Sequence, residues 1–299
     1  MGRAGVTTTG ALRWTESELI SLVRDYRRIW WQAVPSLAAR VRADPTLLSR
    51  AQAGGLTTLD AYSDGDLWAP DRQVVHAALI TAQIGVGPRP DVPTAYFTIG
   101  AIGAGKTTAL RPLVLAHRQL HGAGGASSLS RIAADEIREA LPEFADGLGN
   151  DVVAQECYLV TYDGVFPVAL ESGQDVIYDT IGTLLPTGDP ALVANLRRLR
   201  GAGYRVQVLL AEAPLPECVA RAKQRALSAN GRLISASQQT DMHGQAARTL
   251  EWLLAEPDLL DGWAVLDTYS EGLHGPILRG SDDWMDEHPA LRGQLLGNP

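Results

Sequence analysis

The sequence predicts an α/β protein, a parallel five-stranded sheet with helices on both faces, preceded by a helical N-terminal region. Three observations predict it. Residues 95–110 join a short apolar, β-branched run to a helix through a glycine-rich loop, Ala-Tyr-Phe-Thr-Ile-Gly-Ala-Ile-Gly-Ala-Gly-Lys-Thr-Thr-Ala-Leu. From there to about Asp267, strand-like and helix-like stretches alternate, as in a parallel sheet with crossover helices. Before that point the spacing of apolar residues is helical.

The first ten residues are Gly- and Thr-rich and are expected to be loose. Thr15-Glu-Ser-Glu18 is a capping-box start. The helix it opens carries Leu19, Leu22, Val23, Tyr26, Ile29 and Trp30 on one face. Pro35 and Pro45 introduce two short helical pieces over 36–43 and 46–53, the second ended by Gly54-Gly55. Residues 56–69 read as a loop. Pro70 opens a further helix to about Gly85, and the Pro/Gly-rich stretch 87–93 is a stiff linker. This divides the chain into a helical region, 1–90, and an α/β domain, 91–299.

In the second part, strands are expected over 96–99, 129–133, 175–179, 204–210 and 263–267. The intervening helices begin at Thr107 and cover 135–140, 152–171, 190–200, 214–228 and 237–254. Beyond Gly272, scattered Pro and Gly leave no clear pattern.

Composition narrows the function. The chain has 299 residues and a formal net charge of −8, with no basic tract, which argues against a nucleic-acid partner. Cys157 and Cys218 are the only cysteines and form no metal-type pair, which suits buried thiols in a reducing compartment. No secretory h-region and no apolar run of about 18 residues is present. The expectation is a cytoplasmic protein without a membrane partner; delivery into another cell is left open.

Gly100 to Thr107 fits G-x-x-x-x-G-K-[ST], the P-loop pattern. Gly100, Gly103 and Gly105 let backbone N–H groups converge on an anion, and the following helix offers its positive end to the same phosphate. Lys106 can reach the β- and γ-phosphates, and the Thr107 hydroxyl can sit on Mg²⁺. With Ala104 and Thr108 these form the candidate site for ATP or GTP.

Phosphoryl transfer also needs a base, a metal ligand and cations, gathered at the carboxyl ends of the strands. Asp135 follows the second strand and is a candidate base or, equally, a helix N-cap. Asp179 ends the third strand as a Walker B carboxylate would, holding Mg²⁺, or contacts substrate with Thr180, or merely starts a turn. Arg221 and Arg225 share a helix face, and Arg232 follows Gly231; they form either a lid over the phosphates or a solvated basic face. His117 and His121 are four apart on a helix but have no evident acidic partner, so they read as surface or packing residues.

Together these pieces resemble the zeta-toxin family of P-loop kinases, over about Pro93 to Asp267. The resemblance rests on the P-loop and on Ile132-Ala-Ala-Asp135-Glu-Ile-Arg138 with Leu141-Pro142-Glu-Phe144 behind it. It also rests on Val176-Ile-Tyr-Asp179-Thr180, and on Arg221-Ala-Lys-Gln-Arg225 with Gly231-Arg232. Trp68-Ala-Pro-Asp-Arg72 and His76 resemble the family's lead-in to the P-loop. The resemblance implies a P-loop kinase fold, Lys106, Asp135, Arg225 and Arg232 as catalytic residues, and Arg221 on the nucleotide. It implies Asp135, Asp179 and Thr180 on the acceptor. It also implies a toxin that phosphorylates a sugar nucleotide such as UDP-N-acetylglucosamine or, in a related branch, a dinucleotide such as NAD, and a small helical antitoxin as partner. Two departures are plain: Asp179 stands where Glu is more usual, and Leu-Ile-Ser-Ala follows Arg232 where Phe-Val-Pro is commoner. The rival readings are a kinase for a metabolite or antibiotic, and a nucleotide-dependent switch that transfers nothing.

Overall fold

The computed structural model describes residues 12–65, 67–270 and 275–295. The Gly/Thr-rich first ten residues lie outside them. The N-terminal region holds helices α1 (Glu16–Ile29), α2 (Pro35–Ala43), α3 (Pro45–Gln52) and α4 (Thr58–Tyr62), a small hairpin of β1 (Ser63–Asp64) and β2 (Leu67–Trp68), and α5 (Pro70–Gln83). The capping box at Thr15 forms as its sequence predicts: the Thr15 hydroxyl accepts from the Glu18 N–H, and the Glu18 carboxylate accepts from the Thr15 N–H at 2.8 Å. Residues 56–69 are not simply a loop, because Thr57 and Asp60 make a second capping box that opens α4.

The rest of the chain runs β3 (Thr94–Ile99), α6 (Arg111–Leu120), β4 (Leu129–Ala133), α7 (Ala134–Ala140), α8 (Asn150–Leu159), α9 (Phe166–Ser172), β5 (Asp175–Asp179), α10 (Val193–Gly201), β6 (Arg205–Glu212), α11 (Leu215–Arg225), α12 (Ala236–Leu254), β7 (Gly262–Asp267), β8 (Ile277–Gly280) and α13 (Asp282–Leu295). The expected helix over 152–171 is two helices joined by a π-helical stretch, Val160–Val165.

The sheet has order β4-β5-β3-β6-β7-β8. Its first five strands pair in parallel, and β8 pairs antiparallel with β7. The expected five parallel strands are therefore present, and a sixth, antiparallel edge strand corrects the count. Four residues long, with Leu278 and Arg279 exposed, β8 is too short to show a period-two pattern.

Alternation along the strands feeds two cores, one on each sheet face. Ala95, Phe97 and Ile99 of β3 and Val206, Val208 and Leu210 of β6 point to one, together with Trp30, Trp31 and Leu37 of the N-terminal helices. Tyr96, Leu209 and Ala211 point to the other, with Leu110, Leu113 and Trp284. The N-terminal helices thus pack into the same core as the sheet. Both cysteines are buried free thiols. Among the described residues, no helix is long and apolar enough to cross a membrane.

A buried ion cluster ties the N-terminal region to α8. Arg72, 5% exposed, donates to both oxygens of Glu156 (2.6 and 2.8 Å) and of Glu143 (3.1 and 2.7 Å). His76 Nε2 lies 2.6 Å from Glu156 as well. Burial alone would raise the Glu156 carboxyl, but the hydrogen bonds from His76 and Arg72 prevail and bring it down to about 2. A carboxyl depressed on folding stabilises the fold above its unfolded value, near 4.5, and that contribution is lost as pH falls toward 2. Urea unfolding of the wild type should therefore lose stability across this window, by on the order of 3 kcal/mol from this group. Glu156→Gln should show a shallower pH dependence; an unchanged slope would remove Glu156 as its source.

Candidate functional site

Strand β3 delivers the chain to the glycine-rich loop at the centre of the sheet. The chain leaves β3 for β4 on one side and later reaches β6 and β7 on the other, so the strand order reverses at the carboxyl end of β3. Ligands of open α/β sheets bind in such crevices. The loop continues directly into a π-helical turn, Lys106–Leu110, and then into α6. The first N–H groups of that helix have no acceptor within it and face the loop.

Gly100, Gly103 and Gly105 all have positive φ. At Gly103 the requirement is steric as well: φ is 85°, and an added Cβ would lie 2.2 Å from the Cys218 carbonyl oxygen on α11. The loop and the helix over it are therefore in backbone contact. Lys106 Nζ folds back to donate to the carbonyl of Gly100 at 2.8 Å. Thr107 and Thr108 are exposed, and Thr108 Oγ1 donates to the Gly105 carbonyl. The Ala104 carbonyl is held by the buried Thr268 hydroxyl at 2.7 Å, a brace from the end of β7.

The register of the sheet gathers two carboxylates beside the loop. Asp179 of β5 lies opposite Thr98 of β3 and Ala133 of β4. Its Oδ1 accepts from Thr98 Oγ1 at 3.4 Å. Burial pushes the Asp179 carboxyl up, and Asp135 beside it adds to this, against Lys106 and Arg111. Thr180 continues the line, its N–H donating to the Thr98 carbonyl.

Asp135 sits in the first turn of α7. It is not the N-cap: Ala133 occupies that position and no side chain caps the helix. The capping alternative for Asp135 is thereby corrected, because the strand runs into the helix one residue earlier than 135. Its Oδ1 instead accepts from Arg138 at 2.6 Å and from Arg232 at 2.7 Å. Crowding by neighbours would raise the Asp135 carboxyl, but Arg232 and Arg138, with Lys106 further off, hold it below the usual carboxylate range.

The basic segment reaches this point through α11, a π-helical turn (Ala226–Asn230) and Gly231. Gly231 has φ 50°, and a Cβ there would come 2.7 Å from the Asp146 carbonyl oxygen. Asp146 and Ala145 are themselves left-handed, at φ 56° and 46°. Non-glycine residues in that region store strain of about 1–3 kcal/mol each and need surrounding support. Support comes from α1 and the residues before it. Arg13 pairs with Asp146 at 2.8 Å, Tyr26 donates to the Glu143 carbonyl at 3.0 Å, and Lys223 of α11 pairs with Glu16 at 2.6 Å.

Of the basic candidates, Arg232 is joined to Asp135. Arg221 donates to Glu217 and to the Thr268 carbonyl, and its Nη1 is buried without a partner. Arg225 is exposed and shares in none of these contacts. The sequence did not reveal Thr268, Arg111 or Glu156. Their signal is a long-range contact, which no local pattern encodes.

The sequence model of the zeta toxin family matches residues 78–267, nearly two thirds of the chain. The chain belongs to the zeta toxin family. Membership places it among nucleotide-dependent kinases. No curated protein matches it in sequence. Among solved structures, one from the PezAT chromosomal toxin-antitoxin system of Streptococcus pneumoniae is similar at a TM-score of 0.52 and 14% identity, covering 78% of this chain and 88% of that one. The complex of AvrRxo1-ORF1 with AvrRxo1-ORF2 and sulphate ions is similar at 0.53 and 15%, covering 73% and 74%. The same complex with ATP is similar at 0.51 and 15%, with the same coverage. These likenesses establish the zeta-toxin version of the P-loop kinase fold.

Proposed function

We propose that this zeta-toxin family member is a toxin kinase. It transfers the γ-phosphoryl group of ATP or GTP to a hydroxyl of a sugar nucleotide, of the UDP-N-acetylglucosamine kind, or of a dinucleotide of the NAD kind. The observation that carries this reading is the meeting of four elements, the P-loop, α7, β5 and the basic segment, at the carboxyl ends of the neighbouring strands β3, β5 and β4. Arg232 of the basic segment donates to Asp135 at 2.7 Å, and Asp135 and Lys106 both lie near enough to act on the Asp179 carboxyl.

Lys106, Arg221 and the N–H groups from Gly100 to Thr108 hold the nucleotide phosphates. The loop fits them because Gly100, Gly103 and Gly105 take the positive φ that an N–H cradle for an anion requires, and because Arg221 Nη1 is a buried donor without a hydrogen-bond partner. Thr107 and Asp179 would hold Mg²⁺, which neutralises charge on the β- and γ-oxygens when bound. Asp179 and Thr180 line the acceptor side. Asp135 accepts the proton of the attacking hydroxyl. Arg232 sits on Asp135 and lowers its basicity. Moving Arg232 onto the phosphates, beside Arg225, both frees the base and stabilises the developing charge.

Within the helical region 1–90, Arg13, Glu16 and Tyr26 brace the lid and the 142–147 segment, which belong to the kinase domain of residues 91–299. Two of the similar structures are of a toxin-antitoxin system and of a two-protein complex, and they support a small helical antitoxin as a partner here too. The test is transfer itself: γ-labelled ATP with a panel of sugar nucleotides and dinucleotides should give a labelled small molecule. Label only in free phosphate would favour a switch.

A further inference from the structure

A second cluster of ligating side chains lies on α6, beyond the P-loop. His117 and His121 are four residues apart, the second at the helix C-cap, so they share one face. Helix α13 brings Glu287 against them. Its Oε1 is 3.0 Å from His121 Nε2, and its Oε2 is 3.6 Å from His117 Nε2. The three ligand atoms lie within 4.8 Å of one another. As a plain ion pair the arrangement is incomplete, because Glu287 Oε2 is buried and has no hydrogen-bond partner.

The His117 ring is held in place from two sides. Its face stacks on Trp284 at 4.3 Å, and Nδ1 lies 3.0 Å from the Tyr96 hydroxyl. With Nδ1–H donating to the Tyr96 oxygen, the Nε2 lone pair is left on the Glu287 side. A hydrogen bond from the far ring nitrogen is how metal-bound histidines are usually fixed in tautomer and orientation. The His121 side chain is 53% exposed, so solvent reaches the cluster.

We propose that His117 Nε2, His121 Nε2 and the Glu287 carboxylate bind a divalent transition ion, Zn²⁺ first among them, with water completing its shell. Two imidazoles and one carboxylate suit Zn²⁺. Mg²⁺ prefers an all-oxygen shell, so this site is separate from the metal position beside Thr107 and does not depend on the kinase reading. The bound ion adds a clip between α13 and the helix that continues the P-loop, which already meet where Trp284 stacks on His117.

The test uses the tag-free full chain, stripped with a chelator and titrated with Zn²⁺ in excess Mg²⁺. The wild type should take up one Zn²⁺ per chain and unfold at higher temperature when loaded. His121→Ala and Glu287→Gln, both at partly exposed side chains, should fold, bind ATP as the wild type does, and lose that uptake and that thermal shift. Tyr96→Phe should retain the stoichiometry with affinity weakened about tenfold. A wild type that takes up no Zn²⁺, or a His121→Ala chain that binds it with unchanged stoichiometry and affinity, would overturn the proposal.

Discussion

Asp135→Asn should bind nucleotide as the wild type does and transfer phosphoryl groups about 10²–10⁴-fold more slowly. That is the usual range for removing a general base. The substitution keeps the shape and one hydrogen-bond acceptor for Arg138, whose guanidinium is buried at 4% exposure, so the helix end is preserved. The loss should appear in kcat with little change in the KM for nucleotide, since Asp135 contacts neither the loop nor Lys106 directly. If expression of the wild type arrests growth, Asp135→Asn should relieve it. An Asp135→Asn protein with wild-type transfer would remove Asp135 as the base and leave its arginine pairs as purely structural.

Arg72→Ala should destabilise the fold by about 3–5 kcal/mol, because it strands two carboxylates in the interior. Glu156 is fully buried and Glu143 nearly so; without the guanidinium Glu143 loses its ion pair and Glu156 is left with His76 as its ion-pair partner. Arg72→Lys should recover only part of the loss, since a single ammonium cannot reproduce two bidentate pairs. The triple variant Arg72→Met, Glu143→Gln, Glu156→Gln should recover most of it, because no unpaired charge is left behind. The damage should also spread to the segment that starts at Glu143 and carries the left-handed Ala145 and Asp146. Equilibrium urea unfolding reads the first effect; faster proteolysis near residues 142–147 reads the second. A single-variant loss below about 1 kcal/mol would mean that the cluster contributes nothing beyond surface pairing.

The parts of the fold carried by short-range pattern were legible in the sequence. Buried parallel strands such as 175–179 and 205–212 are continuous apolar runs, and the P-loop fixes its own strand, turn and helix within about fifteen residues. The positions of Asp135 and Asp179 followed from the rule that chemistry gathers at strand ends. What was not legible depends on partners far apart in sequence. Glu287 reaches His121 only because β8 turns the tail back along the sheet edge, and β8 is too short to announce itself. Arg72 reads locally as an exposed residue at a helix start; only α8, more than seventy residues on, makes it a buried ion-pair centre. The cap alternative for Asp135 failed because the cap position falls two residues earlier, at Ala133, and helix starts are the least determinate feature of any helix.

The most direct measurement is the fate of the γ-phosphoryl group. Purified full-length protein, Mg²⁺ and γ-labelled ATP or GTP are incubated with UDP-N-acetylglucosamine or NAD, and the products are separated. The account predicts label in one of these acceptors, as a phosphate ester on a hydroxyl, with the Asp135→Asn protein giving almost none. Label found only in inorganic phosphate, at equal rates for both proteins and whichever acceptor is present, would contradict it.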